Sequence, residues 1–237
     1  SIAGGRRYAV LGKHVDVSGL IAVAALSEQL SPGLRRWLSL SKPHLRVADF
    51  ELAGDQGGAM RAQGRIEALG FLPVADWPGI SGLRGTINGD AQGVELDIAS
   101  DAKLRLDWPT GFGVVHEIQL AGKLVGWREG AGWQFATPAL RVQGKDYGAN
   151  LRGGLWFQGD GSRPRMQLAA QLDDVALPVA RKFWIRSKMN QATIDWLDMA
   201  VAGGTVTGGT GLVSGDLDDW PFDNHNGRFE AFGQIRD

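Results

Sequence analysis

Apolar and polar residues alternate strictly along much of the chain, the pattern of strands with one greasy and one wet face. The segment MRAQGRIEA sets Met60, Ala62, Gly64, Ile66 and Ala68 against Arg61, Gln63, Arg65 and Glu67. AKLRLDW sets Ala102, Leu104, Leu106 and Trp108 against Lys103, Arg105 and Asp107. PRMQLAAQL places Met166, Leu168, Ala170 and Leu172 on one side. Similar stretches recur at 94–98, 114–125, 149–157 and 227–235. Turn-forming clusters separate them: NGD at 88–90, REGAG at 128–132 and QGDGSRP at 158–164. Strands joined by such short turns must run antiparallel, because a parallel pair needs a long crossover. The pattern predicts a mainly β chain folded as a long antiparallel meander.

Two helical interludes interrupt it. Near 19–40, Ser18 is placed to cap LIAVAALSEQL, and Ser31-Pro32 reads as an N-cap followed by proline at the first helical position. The second helix of that pair carries Leu34, Trp37 and Leu38 at helical spacing and stops before Pro43. Near 179–202, NQATIDWLDMAV puts Ile194, Leu197 and Val201 on one face, with Gly203-Gly204 ending it. These helices are expected as lids on the apolar sheet face; neither has the cationic polar face of a membrane-surface helix. Helix, Trp-Leu, strands and then Asp-Trp-Pro occur within 19–100 and again within 179–237, an internal repeat that suggests stacking into an elongated array.

Charge and composition narrow the classes. Twenty-five Lys and Arg against 26 Asp and Glu leave a net charge of -1, so the basic excess of a nucleic-acid protein is missing. The chain has 35 Gly, about twice ordinary usage, which implies many turns or a backbone that bends closely. It has no Cys, which excludes disulfides, thiolate metal sites and cysteine nucleophiles. The longest uncharged apolar run, Gly19–Ser27, is about half the ~20 residues of a membrane-spanning helix.

Catalytic signatures are missing too. His14, His44, His116 and His225 share no ligand spacing. GGTVTGGTG at 203–211 lacks the lysine of a phosphate loop and reads as a strand turn. Gly79-Ile80-Ser81-Gly82 is one residue short of a nucleophile elbow. Asp216, Asp218, Asp219 and Asp223 lack the alternating ligands of a calcium loop and read as a solvated turn. Trp37, Trp77, Trp196 and Trp220 sit on helices or before prolines, as anchors would; Trp108, Trp127, Trp133 and Trp156 lie on strands and leave a sugar-stacking platform open. The chain is read as a non-enzyme needing neither cofactor nor metal.

The order of these turns carries a resemblance. WLDMAVAGGTVTGGTGLVSGDLDDWPFDNHNGRFEAFGQIRD, Trp196 to Asp237, runs Trp-Leu, Gly-rich strand, Gly-Asp-Leu, Trp-Pro-Phe turn and Gly-x-Phe strand. LPVADWPGISGLRGTINGD, Leu72 to Asp90, holds a Pro-Gly-Ile-x-Gly-Leu-x-Gly turn. Both resemble the recurring pattern of the YhdP family of AsmA-like envelope proteins. Family members are several times longer and open with an inner-membrane helix, so this chain is expected to be one elongated segment, 1–237, of such a protein.

The resemblance implies a periplasmic segment of a bridge that carries phospholipid between the inner and outer membranes of Gram-negative cells, with other envelope proteins at its ends. It implies a curved, groove-like sheet whose apolar inner face shields acyl chains. Hiding a chain of ~16 CH₂ groups avoids ~13 kcal/mol of exposure to water. About 12 strands at ~4.8 Å spacing would give ~58 Å of groove. The wall candidates are Met60, Ile66, Leu96, Leu104, Leu106, Leu120, Leu151, Phe157, Met166 and Leu168. Small inner positions such as Ala62, Gly64, Ala170 and Gly208 favour an open or curved sheet. Two alternatives remain open at this point: a non-conducting envelope scaffold with a plain packed core, and a carbohydrate-binding β-sandwich.

Overall fold

A computed structural model describes residues 7–28, 30–55, 57–58, 60–159 and 162–236. Thirteen strands form one antiparallel sheet. In chain order they are β1 (Arg7–Asp16), β2 (His44–Asp55), β3 (Met60–Phe71), β4 (Gly79–Asp90), β5 (Gly93–Ile98), β6 (Lys103–Asp107), β7 (Val115–Glu129), β8 (Gly132–Gln143), β9 (Gly148–Phe157), β10 (Arg165–Leu172), β11 (Val175–Ala176), β12 (Thr205–Asp216) and β13 (Arg228–Arg236). β5 and β6 both lie between β4 and β7, and β10 and β11 both pair with β12. The thirteen strands therefore fill eleven lanes. At about 4.8 Å per step the sheet is about 48 Å across, shorter than the ~58 Å expected from twelve separate strands.

The helices are α1 (Ser18–Ala24), α2 (Pro32–Ser41) and α3 (Gln191–Ala200), with 3-10 turns at Leu177–Phe183 and Arg186–Lys188. Tracing the strands up and down places all of them at one end of the sheet, with the loops after β3, β6 and β8. The turns after β2, β4, β7, β9 and β12 gather at the opposite end. The helices are thus not lids across the sheet face but a closure of one rim. Ser31 caps α2 as expected, its hydroxyl accepting the N–H of Leu34 at 3.3 Å. Ser18 does not cap α1: its Oγ accepts from the Leu45 N–H at 3.1 Å, and its own N–H goes to Asp16. That bond ties the start of α1 to β2 instead.

Several local expectations shift by a residue or two. NGD at 88–90 ends β4, and the reversal falls on Ala91-Gln92, where the Asp90 carboxylate accepts the N–H groups of Gln92 (2.8 Å) and Gly93 (3.0 Å). The glycines at 203–211 are not a turn but run into β12, whose register slips between Thr207 and Thr210 around Gly208, at φ 63°. Residues 160 and 161 of the expected QGDGSRP turn lie outside the described residues. Trp37 anchors α2 on Phe71 (5.2 Å), and Trp220 packs on Phe222 and Phe229. Trp196 is 63% exposed and anchors nothing, and Trp77 is exposed as well.

One sheet without a second layer leaves much surface in water. The structure exposes 15161 Å², against roughly 10,300 Å² for a compact protein of this mass. Among the described residues only eleven hydrophobic side chains are buried. The sandwich alternative fails here, since it needs two facing sheets. The wet face is laced with cross-strand ion pairs, among them Lys123 with Glu95 (2.6 Å) and Asp97 (3.7 Å) and Arg84 with Asp101 (2.8 Å). Such exposed pairs contribute little stability each, but keep that face hydrated.

Glycine is required where strands bend. Gly122, at φ 141° beside the slip between β7 and β8, would place a Cβ 2.3 Å from the Ala139 carbonyl. Gly122→Val is expected to lower stability by at least about 2 kcal/mol in urea unfolding. Gly203→Ala, with nothing within 4 Å of the added atom, should change it by less than about 0.5 kcal/mol.

Candidate functional site

Cross-strand register fixes which side chains share the apolar face, because directly paired residues point the same way. All ten wall candidates fall on this one face. They do not share one environment. Ile66 and Leu104 are each 4% exposed, Met60 is 41% exposed, and the other seven are half-buried. Leu104 belongs to a packed cluster with Leu83, Ile98, Ala102 and Ile118, against which Leu96, Leu106 and Leu120 lean. This cluster occupies the half of the face nearest the helices, in the central lanes. There the apolar face is covered by its own side chains.

The half nearest the hairpin turns is different. One transverse row runs Ala62, Gly89, Val94, Gly126, Phe135, Leu155, Met166 and Gly215, each residue paired with the next from β3 to β12. Small and large residues mix along it, so the row forms a shallow track at right angles to the strands. Phe135 is 42% exposed and stacks on Trp133, while Phe157 meets Phe135 edge-on at 5.9 Å. Phe157, Met166 and Leu168 stand along or beside this track, whereas Leu151 lies toward the helical end, in the row of Ile98, Gly122 and Leu140 that meets the packed cluster. Sequence reasoning picked Met166 from it but missed Val94, Phe135 and Leu155. Their alternation was visible; that they align across eight lanes depends on register, which bulges reset.

At the helical rim the face is sealed by aromatic rings. Phe112 and Phe183 close on His116 and Tyr147, with Trp108 behind Phe112. Trp108 donates its indole N–H to the Asp76 carbonyl at 2.8 Å, so this ring is structural. His116 is 5% exposed. Its Nε2 lies 3.2 Å from the Lys182 carbonyl and its Nδ1 2.8 Å from the Tyr147 hydroxyl. A carbonyl can only accept, so the neutral ring carries its proton on Nε2 and Nδ1 accepts from Tyr147. Burial pushes the His116 pKa below its ordinary value, and the Lys182 ammonium adds to the effect. Lys182 itself pairs with Asp146.

Among the described residues no group of three or more His, Cys, Asp or Glu could hold a metal. The acidic turn is occupied internally: Asp216 accepts from the Asp218 N–H, and Asp218 accepts from the Arg163 N–H at 3.0 Å each. Gly79–Gly82 opens a strand rather than forming an elbow. What the site offers is a long apolar surface, sealed along one rim and open along the other.

The family model described as YhdP protein matches residues 4–237. The chain belongs to the YhdP family. It is 22% identical over 234 residues to the protein named intermembrane phospholipid transporter YhdP of Escherichia coli (strain K12), covering 96% of this chain. The chain spans only 18% of that relative's length. No solved structure matches it. Among the described residues of this YhdP-family chain, no helix is long and apolar enough to cross a membrane.

The rim seal should be sensitive to mild acid. A histidine whose folded pKa lies below its unfolded value of 6.5 leaves stability intact above that pH. As pH falls below it the unfolded chain takes up the proton first, costing up to about 1.4 kcal/mol per pH unit until the folded pKa is reached. Urea unfolding at pH 7.5 and 5.5 should show this loss, and His116→Gln should lose less over the same interval.

Proposed function

We propose that this chain is a periplasmic segment of an envelope-spanning protein and conducts phospholipid along the apolar face of its sheet, performing no bond chemistry. The observation that supports this reading best is the single-layer sheet whose greasy face continues across eleven lanes with no second layer over it. A membrane anchor and the end partners belong to the parent protein in this reading. The internal repeat at 19–100 and 179–237 marks units of one elongated array. Acyl chains lie on the hairpin half, along Val94, Phe135, Leu155 and Met166 and beside Phe157 and Leu168, with Leu151 at the border of the packed half. The packed cluster around Leu104 supports the floor from the helical half. Ile66, Leu96, Leu106 and Leu120 contribute to that support more than to the contact surface. Apolar contacts are non-directional, so successive positions along the track are nearly equal in energy and a tail can slide.

A photoreactive residue at Met166 or Phe157 should capture phospholipid in a detergent-free preparation from Gram-negative cells, and one at Gln167 on the wet face should not. Phe135→Asp should reduce the co-purifying phospholipid seen by mass spectrometry at least tenfold, with the circular dichroism unchanged. A scaffold that carries no lipid predicts equal, negligible capture at all three positions.

A further inference from the structure

The helical rim carries a second feature that the track does not use. Between α1 and α2 lies a cleft of about 720 Å³ lined by Ala22, Ala25, Leu26 and Leu38 on its apolar side and by Arg35, Arg36, Lys42 and His44 on its polar side. No carboxylate lines it, in a chain whose acids outnumber its bases. Helical spacing explains the grouping: Arg35, Leu38, Ser39 and Lys42 fall on one stripe of α2, while Trp37 and Ser41 fall on the stripe that meets the sheet. Lys42 ends α2 in the left-handed region at φ 46°.

These cations are unspent. Among the described residues, none of Arg35, Arg36 and Lys42 has a carboxylate within ion-pairing distance, although pairs are common on the sheet. The Nε of Arg35 is buried and has no hydrogen-bond partner. The guanidinium is thus partly withdrawn from water, and a charged donor in such surroundings holds an anion at its remaining N–H groups more strongly than one fully hydrated. Asp16, the carboxylate whose charge is felt by Arg46 and His44, is itself held by Ser18 through side-chain and backbone hydrogen bonds. The apolar wall is equally unpartnered: Leu26, just past the end of α1, is 78% exposed.

We propose that the α1–α2 cleft is a binding site for a phosphate-bearing amphiphile, its phosphate on Arg35, Arg36 and Lys42 and the start of its acyl chains against Ala22, Ala25, Leu26 and Leu38. Cations and apolar surface in one cleft match a ligand that is anionic at one end and greasy at the other, which free phosphate is not. The Trp37–Phe71 contact joins α2 to the end of β3, so a lipid held here is at the border of the sheet's apolar face. The site deepens the reading of the chain as a phospholipid conductor and rests on it, as a place where the headgroup is gripped beside the gutter.

The test uses the 237-residue chain and dihexanoylphosphatidylglycerol below its micellar concentration, with photoreactive residues at Leu26 and, separately, at Met166. Capture at Leu26 that saturates with lipid, and falls at least tenfold in Arg35→Gln/Lys42→Gln with Met166 capture retained, is the expected result. Arg35→Lys should restore part of the loss. Inorganic phosphate titrated alone by calorimetry should bind at least tenfold more weakly than the lipid; equal affinity would make this a free-phosphate site and overturn the proposal. Capture at Met166 without capture at Leu26 would overturn it while leaving the gutter reading intact. Capture at Leu26 alone would sink the gutter reading and leave the cleft standing.

Discussion

A sheet that is apolar on one face ordinarily hides that face against a second layer, and this one has none. Every other feature answers that constraint. In the central lanes the side chains of one face pack on each other, so that Leu83, Ile98, Ala102, Leu104 and Ile118 become a core without a facing sheet. The helices add little cover, because they sit at one rim and touch the sheet through a few residues such as Trp37 and Phe183. The remaining apolar surface stays in water. Burial of the kind that stabilises an ordinary domain is therefore spent on half of the face only, and the other half is left available.

This division has a mechanical side. A sheet with an exposed greasy face tends to collapse on itself, and the proposed function requires that it does not. The packed cluster, the aromatic seal around His116 and the bidentate pair of Arg141 with Asp173 all lie toward the helical end and brace the sheet from there. The wet face contributes hydration rather than cohesion, through pairs such as Lys123 with Glu95. Rigidity at one rim lets the other rim remain open. The same separation explains why the α1–α2 cleft can keep unpaired cations: it lies outside the cluster whose packing the fold needs.

Much of this was legible in the sequence, and the parts that were not have identifiable causes. Period-two alternation is a local property, so the meander and the facing of all ten candidate residues followed from residues such as Met60-x-Ala62 and Leu104-x-Leu106 directly. Ser31-Pro32 marked the start of α2 because capping is equally local. Ser18 misled because its hydroxyl is taken by a strand 27 residues on, a tertiary bond that no local pattern encodes. The lane count erred for a similar reason: the break at 99–102 divides one lane into β5 and β6, and sequence spacing cannot distinguish a break from a hairpin. The transverse track was least legible, because it depends on bulges such as those beside Thr207 and Gly122, and one displaced residue reassigns every position beyond it.

Conduction, as proposed, needs less specificity of a surface than recognition does, which is compatible with a family relationship at 22% identity. On that proposal, a tail sliding over Val94, Phe135, Leu155 and Met166 would ask only that each lane offer apolar atoms at the same height, which many sequences satisfy. What cannot drift is register, since a slip of one residue would put charges such as Glu95 or Arg165 into the path. The glycines that bend strands at fixed points, the Asx turn at Asp90 and the short hairpins all hold register rather than chemistry. The ordered turn motifs that carried the resemblance are, in physical terms, the devices that keep eleven lanes aligned.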